Sequence, residues 1–226
     1  MDKIINKFKS AITRIQNSFS KKLSFDSIIN NDNIYLYAGD VPYLPQYKKY
    51  IGLSIKQNNN NHIKHNIVNK HPLKDNSVDI YQSEDVFEHI EYEKLPNVIN
   101  DIYRILKPNG VFRLSIPDYR CDLIDCRCIK DNEGIILFDP IGGGDFVNGK
   151  IVNGGHLWFP TYEIVKDLLN ITNFKKIIYY HYYDENENPI CNKIDYSIGF
   201  IKRTPDNDKR VQNPYRPMSI VVDCIK

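Results

Sequence analysis

The clearest alternation of apolar and polar positions lies in residues 77–118, and it predicts a strand, a loop, a helix, a turn and a second strand. Val78, Ile80 and Tyr81 form a short apolar run that ends at Gln82, Ser83, Glu84 and Asp85, the pattern of a buried strand opening onto a polar loop. Leu95, Val98, Ile99, Ile102, Ile105 and Leu106 recur at three- and four-residue steps, the period of an amphipathic helix. Lys107, Pro108, Asn109 and Gly110 close that helix: Asn or Gly takes the left-handed cap conformation, Lys suits the negative end of the dipole, and Pro prevents continuation. Val111, Phe112, Leu114 and Ile116 make the next strand, stopped by Pro117. A strand, crossover helix and strand in this order form a right-handed unit with parallel strands. Ligands of such sheets sit at the carboxyl ends of the strands, so residues 83–89 and 118–120 should border one crevice.

The flanking sequence supplies further elements. Ile4, Ile5, Phe8, Ile12, Ile15 and Phe19 share one helical stripe among several lysines, a basic amphipathic helix over residues 1–22 that packs on the domain, covers the crevice or lies on an anionic surface. Residues 34–37, 50–55 and 62–68 read as the first three strands. Only about ten residues, Pro42 and Pro45 among them, separate the first two, so the usual crossover helix is expected to shrink to a turn. Beyond residue 118 comes an insertion, 119–155, with glycines at 142, 143, 144, 149, 154 and 155. No Lys-Ser or Lys-Thr follows them, so they are not a phosphate loop; a loop of this length at a crevice edge suits a substrate loop or lid. Thr161 is a candidate N-cap for a helix carrying Ile164, Val165, Leu168 and Leu169. Residues 174–183 and 218–225 are the last two strands.

The segments DNSVD, SEDVFEHI, DIYRILKPNG and FRLSIPD, in that order, resemble the matching stretches of class I S-adenosylmethionine-dependent methyltransferases. The resemblance implies an α/β fold: a Rossmann-like, mostly parallel sheet with an antiparallel last strand and helices on both faces. It also implies S-adenosylmethionine as cofactor, held by Ala38, Gly39 and Asp40 after the first strand, Ser54 at the end of the second, Asn66 beside the adenine, and Ser83, Glu84 and Asp85. This chain keeps only one of the usual loop glycines, and Ser54 stands where an acid normally binds the ribose. A hydroxyl makes one such bond but not the bidentate, charge-assisted pair.

With 226 residues the chain suits a single domain spanning 1–226, with the N-terminal helix and the insertion as additions. A net charge of +2 demands no polyanion, and no nucleic-acid partner is expected. Five cysteines at irregular spacing make no disulfide framework and fit a reducing compartment. Cys121, Cys126 and Cys128 match no standard zinc pattern, so no metal is expected. Without a long apolar run the chain has no predicted membrane span, and the expected location is the cytoplasm. A homodimer is left open.

Methyl transfer is an in-line displacement in which positioning supplies most of the catalysis, although a hydroxyl acceptor also benefits from a base. His156 is the first candidate catalytic residue: it follows two glycines, and similar family members carry a His at the active-site mouth. Asp118 could accept a proton or orient it, or simply cap the following turn. His89, Tyr119, Arg120, Trp158 and Tyr162 are candidate substrate contacts, the aromatics for stacking and Arg for an anionic group; for His89 an architectural role competes. The expected function is methyl transfer to a small-molecule acceptor, an oxygen of a sugar, nucleotide-linked sugar or other anionic metabolite. The alternative is a catalytically inactive relative serving as a binding or partner protein. An RNA or protein methyltransferase finds no support in a nucleic-acid module or an Asn-Pro-Pro-aromatic motif.

Overall fold

A computed structural model describes residues 22–226; the predicted N-terminal helix falls almost wholly outside them. One eight-stranded sheet organises the chain. Its strands are β1 (Tyr35–Ala38), β2 (Ile51–Ser54), β3 (His62–Lys64), β4 (Val78–Glu84), β5 (Leu106–Pro117), β10 (Lys176–Tyr183), β11 (Pro189–Cys191) and β12 (Ser219–Ile225). Spatially the order is β11-β10-β12-β5-β4-β1-β2-β3. The run from β3 to β5 is parallel, and β12 pairs antiparallel with both β5 and β10. The expected antiparallel last strand is present, and β11 is an added antiparallel edge that the sequence did not reveal. β3 stops at Lys64, earlier than the apolar pattern suggested.

The expected shrinkage of the first crossover is also present, as a single 3-10 turn at Pro45–Tyr47. Two longer helices, α2 (Leu95–Ile105) and α4 (Tyr162–Asn170), pack beside each other; the short α1 (Phe25–Ile28) and α3 (Asp122–Asp125) flank them in sequence. Leu95, Val98, Ile99, Ile102 and Ile105 are all buried, the stripe read from the sequence. With Tyr81, Phe112, Leu168, Leu169 and Phe174 they fill the main core. The helix stops at Ile105 because Leu106 is already extended, and Asn109 takes the left-handed conformation at φ 65°.

The opposite face of the sheet is, among the described residues, covered differently. Tyr37, Tyr47 and Tyr50 cluster there with Phe200, and the segment 192–211 lies over them. Because alternate strand residues face opposite sides, Gln82 and Arg113 point into this layer while Tyr81 and Phe112 point into the main core. Gln82 donates to the Phe200 carbonyl at 2.6 Å. Arg113 forms a bidentate pair with Asp223 at 2.7 Å and donates to the Asp195 carbonyl at 2.8 Å, all with Arg113 fully buried. The insertion folds as α3 and two hairpins, β6 (Ile129–Lys130) with β7 (Ile136–Phe138), and β8 (Asp145–Val147) with β9 (Lys150–Val152). No described helix is long and apolar enough to cross a membrane.

Removing one member of a fully buried ion pair leaves the other uncompensated, which costs about 3–5 kcal/mol. Asp223→Ala is therefore expected to lower the urea midpoint by that equivalent with an unchanged m-value, read by circular dichroism; an unaltered midpoint would show that Arg113 finds other partners.

Candidate functional site

β4 ends at Glu84, and Asp85 turns the chain out of the strand in the left-handed region, at φ 54°. A 3-10 turn over Phe87–His89 follows. It buries Phe87 in the core and aims Glu88 inward, while His89 stays exposed. The end of the insertion docks on this turn through three hydrogen bonds. Leu157 N–H donates to the Glu88 carbonyl at 2.7 Å, Trp158 Nε1 donates to the Phe87 carbonyl at 3.1 Å, and His89 Nδ1 lies 2.8 Å from the Gly155 carbonyl. Two segments some seventy residues apart thus become one wall.

This docking brings Glu88, His89 and His156 together, with one ligand-type atom of each lying within 4.8 Å of the others. The His89 and His156 rings meet edge to face at 4.7 Å. His156 is buried, and Gly142 sits so close to its ring that an added Cβ would come within 2.7 Å; the glycine is needed for contact. His156 Nδ1 is hydrogen-bonded to Tyr119 Oη, which donates to Asp139 Oδ2 at 2.9 Å. Arg127 clamps Asp139 at 2.6 and 2.9 Å. Burial, then the neighbouring His89 charge, pushes His156 down to about 4, so it is neutral at physiological pH. Glu88 is fully buried, neither carboxylate oxygen has a hydrogen-bond partner, and burial first, then Asp85, pushes its carboxyl well above the usual range.

On the side of β1 and β2, Gly39 occupies the left-handed region at φ 85° and lies against Val86 of the loop after β4. Its N–H bonds to the Leu53 carbonyl at 2.9 Å, which places Asp40 over the end of β2. Burial raises the Asp40 carboxyl, but Ser54, Gln57 and the nearby His62 outweigh it and hold the group below its ordinary value. Ser54 itself is buried and accepts the N–H groups of Lys56 and Gln57 at 3.1 and 2.9 Å. Its lone pairs shape the loop, and the exposed carboxylate beside it is Asp40. An acid is therefore present at the end of β2, supplied by β1's loop, and the residues fit a ribose-binding cofactor at this point.

Several sequence candidates stand elsewhere. Both Glu84 oxygens are taken, by Tyr47 and Gln82 at 2.7 and 2.8 Å and by Lys202 N–H at 3.0 Å; Asp85 pairs with Arg203 at 2.7 Å. These acids fasten 192–211 to the sheet. The Asp118 carboxylate, fully buried and raised by burial to about 6, accepts Arg120 N–H at 3.0 Å and Tyr183 N–H at 2.9 Å. It staples β5 to β10. Arg120 is engaged by Glu163 and the Asp184 carbonyl, Trp158 is buried on Phe87, and Tyr162 stacks on Tyr182 at 4.1 Å. Tyr119 is buried behind His156 as a support. Asn66 is exposed and caps its own turn by accepting Val68 N–H at 3.2 Å. Ser83 lies beside Ala38 with a buried hydroxyl that has no partner. Sequence reasoning missed Glu88, whose only signal was its place before His89, and Asp139 and Arg127, which carried none.

Two cavities of about 450 and 430 Å³ are lined by residues such as Lys22, Ile28 and Lys49, and by Val41, Tyr43 and Asn59, respectively. Both lie away from the Glu88 cluster.

The family model described as a methyltransferase domain matches residues 45–114. A SAM-dependent methyltransferase from Archaeoglobus fulgidus aligns at 14% identity over 89% of this chain and 90% of its own, with a TM-score of 0.51. An S-adenosylmethionine-dependent methyltransferase from Mesorhizobium loti aligns at 12% identity over 89% and 95%, also at 0.51. These likenesses show the shared fold. No curated protein sequence matches significantly.

Asp118→Ala would leave the buried Tyr183 N–H and the partly buried Arg120 N–H without their acceptor, at a cost of about 1–3 kcal/mol for the buried one. A loss of unfolding free energy in that range by chemical denaturation is expected; an unchanged stability would return Asp118 to the candidates for chemistry.

Proposed function

We propose that this chain is a class I S-adenosylmethionine-dependent methyltransferase, a reading supported by the methyltransferase-domain match over residues 45–114, and that it methylates an oxygen of a small polar acceptor: a sugar, a nucleotide-linked sugar or another anionic metabolite. The observation that carries the acceptor's size and polarity is the Glu88, His89 and His156 cluster. Two of its members are buried under the insertion, and the way in is past the single exposed imidazole of His89. A small hydroxylated molecule can reach such a centre, whereas an RNA or protein side needs a longer open groove.

The cofactor supplies an electrophilic methyl group on a sulfonium. The protein's part is to hold donor and acceptor in line, which converts a bimolecular encounter into a positioned one. Gly39 lets the backbone approach the cofactor closely, and Asp40 is the acid available to its ribose hydroxyls. His156 is fixed by Tyr119 and Gly142, so it can offer its remaining ring nitrogen without reorganising. An anionic group on the acceptor would compete with Glu163 for Arg120.

A second reading is a catalytically inactive relative that binds a partner. It is favoured by Ser54 being spent on its own loop and by Glu84 and Asp85 being tied to 192–211.

Calorimetric titration with S-adenosylhomocysteine, followed by incubation with S-adenosylmethionine and a panel of hydroxylated acceptors, separates the readings. Saturable binding and mass-detected methyl transfer are expected; binding without turnover of any acceptor would favour the second reading, and no binding at millimolar ligand would reject methyl transfer. Asp40→Ala removes a charge-assisted hydrogen bond worth about 1.5–3 kcal/mol, and should weaken S-adenosylhomocysteine roughly ten- to a hundredfold. His156→Ala is expected to abolish transfer while leaving that affinity within about twofold, because it lies on the acceptor side; an equal loss of both would place His156 with the cofactor.

A further inference from the structure

We infer that Glu88, His89 and His156 form a site for one divalent transition-metal ion beside the acceptor end of the crevice. A metal was sought in the sequence at the cysteines. There Cys121 is buried and Cys128 Sγ lies 3.1 Å from the Ile124 carbonyl, and the metal-type cluster among the described residues is this one.

The first argument is the state of Glu88. A fully buried carboxyl with both oxygens unpartnered is costly as a bare anion, and it is neutralised either by a proton or by a cation. A polar neighbour, His156 Nε2, stands 3.5 Å from Oε1. That is too long for a hydrogen bond. It is close to the roughly 3.4 Å that separates two ligand atoms across a tetrahedral ion with bonds of about 2.0–2.2 Å. The pair is spaced as two ligands are, not as donor and acceptor.

The second argument is the tautomer each imidazole is given. His89 Nδ1 faces the Gly155 carbonyl at 2.8 Å. A carbonyl only accepts, so Nδ1 carries the hydrogen and Nε2 keeps its lone pair. For His156, Tyr119 Oη spends its hydrogen on Asp139, so it accepts from His156 Nδ1–H and Nε2 is again bare. Metal-ligating histidines are held in this way, with the far nitrogen donating to a carbonyl or to a carboxylate-backed group.

Two imidazoles and one carboxylate suit zinc, iron(II), manganese or cobalt, and not the all-oxygen shells of magnesium and calcium. Three protein ligands leave a position open, on the side where His89 reaches solvent. The site stands independently of methyl transfer. Its role rests on the proposed function: with the ion bound, His156 Nε2 is a ligand and no longer a proton acceptor, and an acceptor with an oxygen able to enter that open position would be oriented by the ion.

The test is titration of chelator-treated full-length protein with cobalt(II) chloride, read by its visible ligand-field absorption. One saturable equivalent is expected. Glu88→Gln and His89→Ala, which preserve volume or lie at the surface, should each abolish it, and Tyr119→Phe should weaken it about ten- to a hundredfold. Absence of a saturable change at millimolar cobalt overturns the inference. So do thiolate-to-cobalt charge-transfer bands, which would assign the ion to cysteine, and full binding retained by both variants. A parallel titration of the metal-free protein with S-adenosylhomocysteine keeps the failures apart. Cofactor binding without cobalt binding rejects only the metal site, and cobalt binding without cofactor binding rejects only the methyl-donor reading.

Discussion

The docking of Gly155, Leu157 and Trp158 onto the Phe87–His89 turn is the constraint on which the candidate site depends. Each of its three bonds is made to a carbonyl, two of them on residues whose side chains have separate duties, Phe87 in the core and Glu88 in the cluster. The backbone thereby sets the spacing while the side chains remain free for chemistry. Undocked, His156 would belong to a glycine-rich loop with no fixed relation to β4. Docked, it is framed by Gly142 on one side and Tyr119 on the other.

A second constraint works from the far face of the sheet. The first crossover is too short for a helix, and the segment 192–211 takes up part of the space, held by Glu84, Gln82 and Arg113. The acids at the end of β4 are consumed in this way. On the other side of the strand ends, Asp40 is an exposed carboxylate brought to the end of β2 by the left-handed Gly39.

The scaffold was legible because its signals are local. The stripe of Leu95, Val98, Ile99, Ile102 and Ile105, the Asn109 turn and the two prolines before Tyr47 each act within a few residues. The surroundings of the candidate site residues were legible only where a local motif accompanied them, as for His156 after its glycines. The contacts of Asp118 were not, because its two amide partners, Arg120 and Tyr183, include one across the sheet. Those of Glu84 were not, because Lys202 is 118 residues away. Asp139 was invisible, since its role arises only when Tyr119 and Arg127 fold against it. Long-range pairing, not residue type, decided what each polar side chain was free to do.

The central claim is that one crevice holds the cofactor's ribose near Asp40 and presents its sulfur toward the Glu88, His89 and His156 wall. A crystal structure with S-adenosylhomocysteine bound tests this most directly. The account predicts ribose hydroxyls on the Asp40 carboxylate and a sulfur facing His156 across open space for the acceptor. Density for the ligand in the cavity lined by Val41, Tyr43 and Asn59 instead, with the Glu88 cluster untouched, would contradict it.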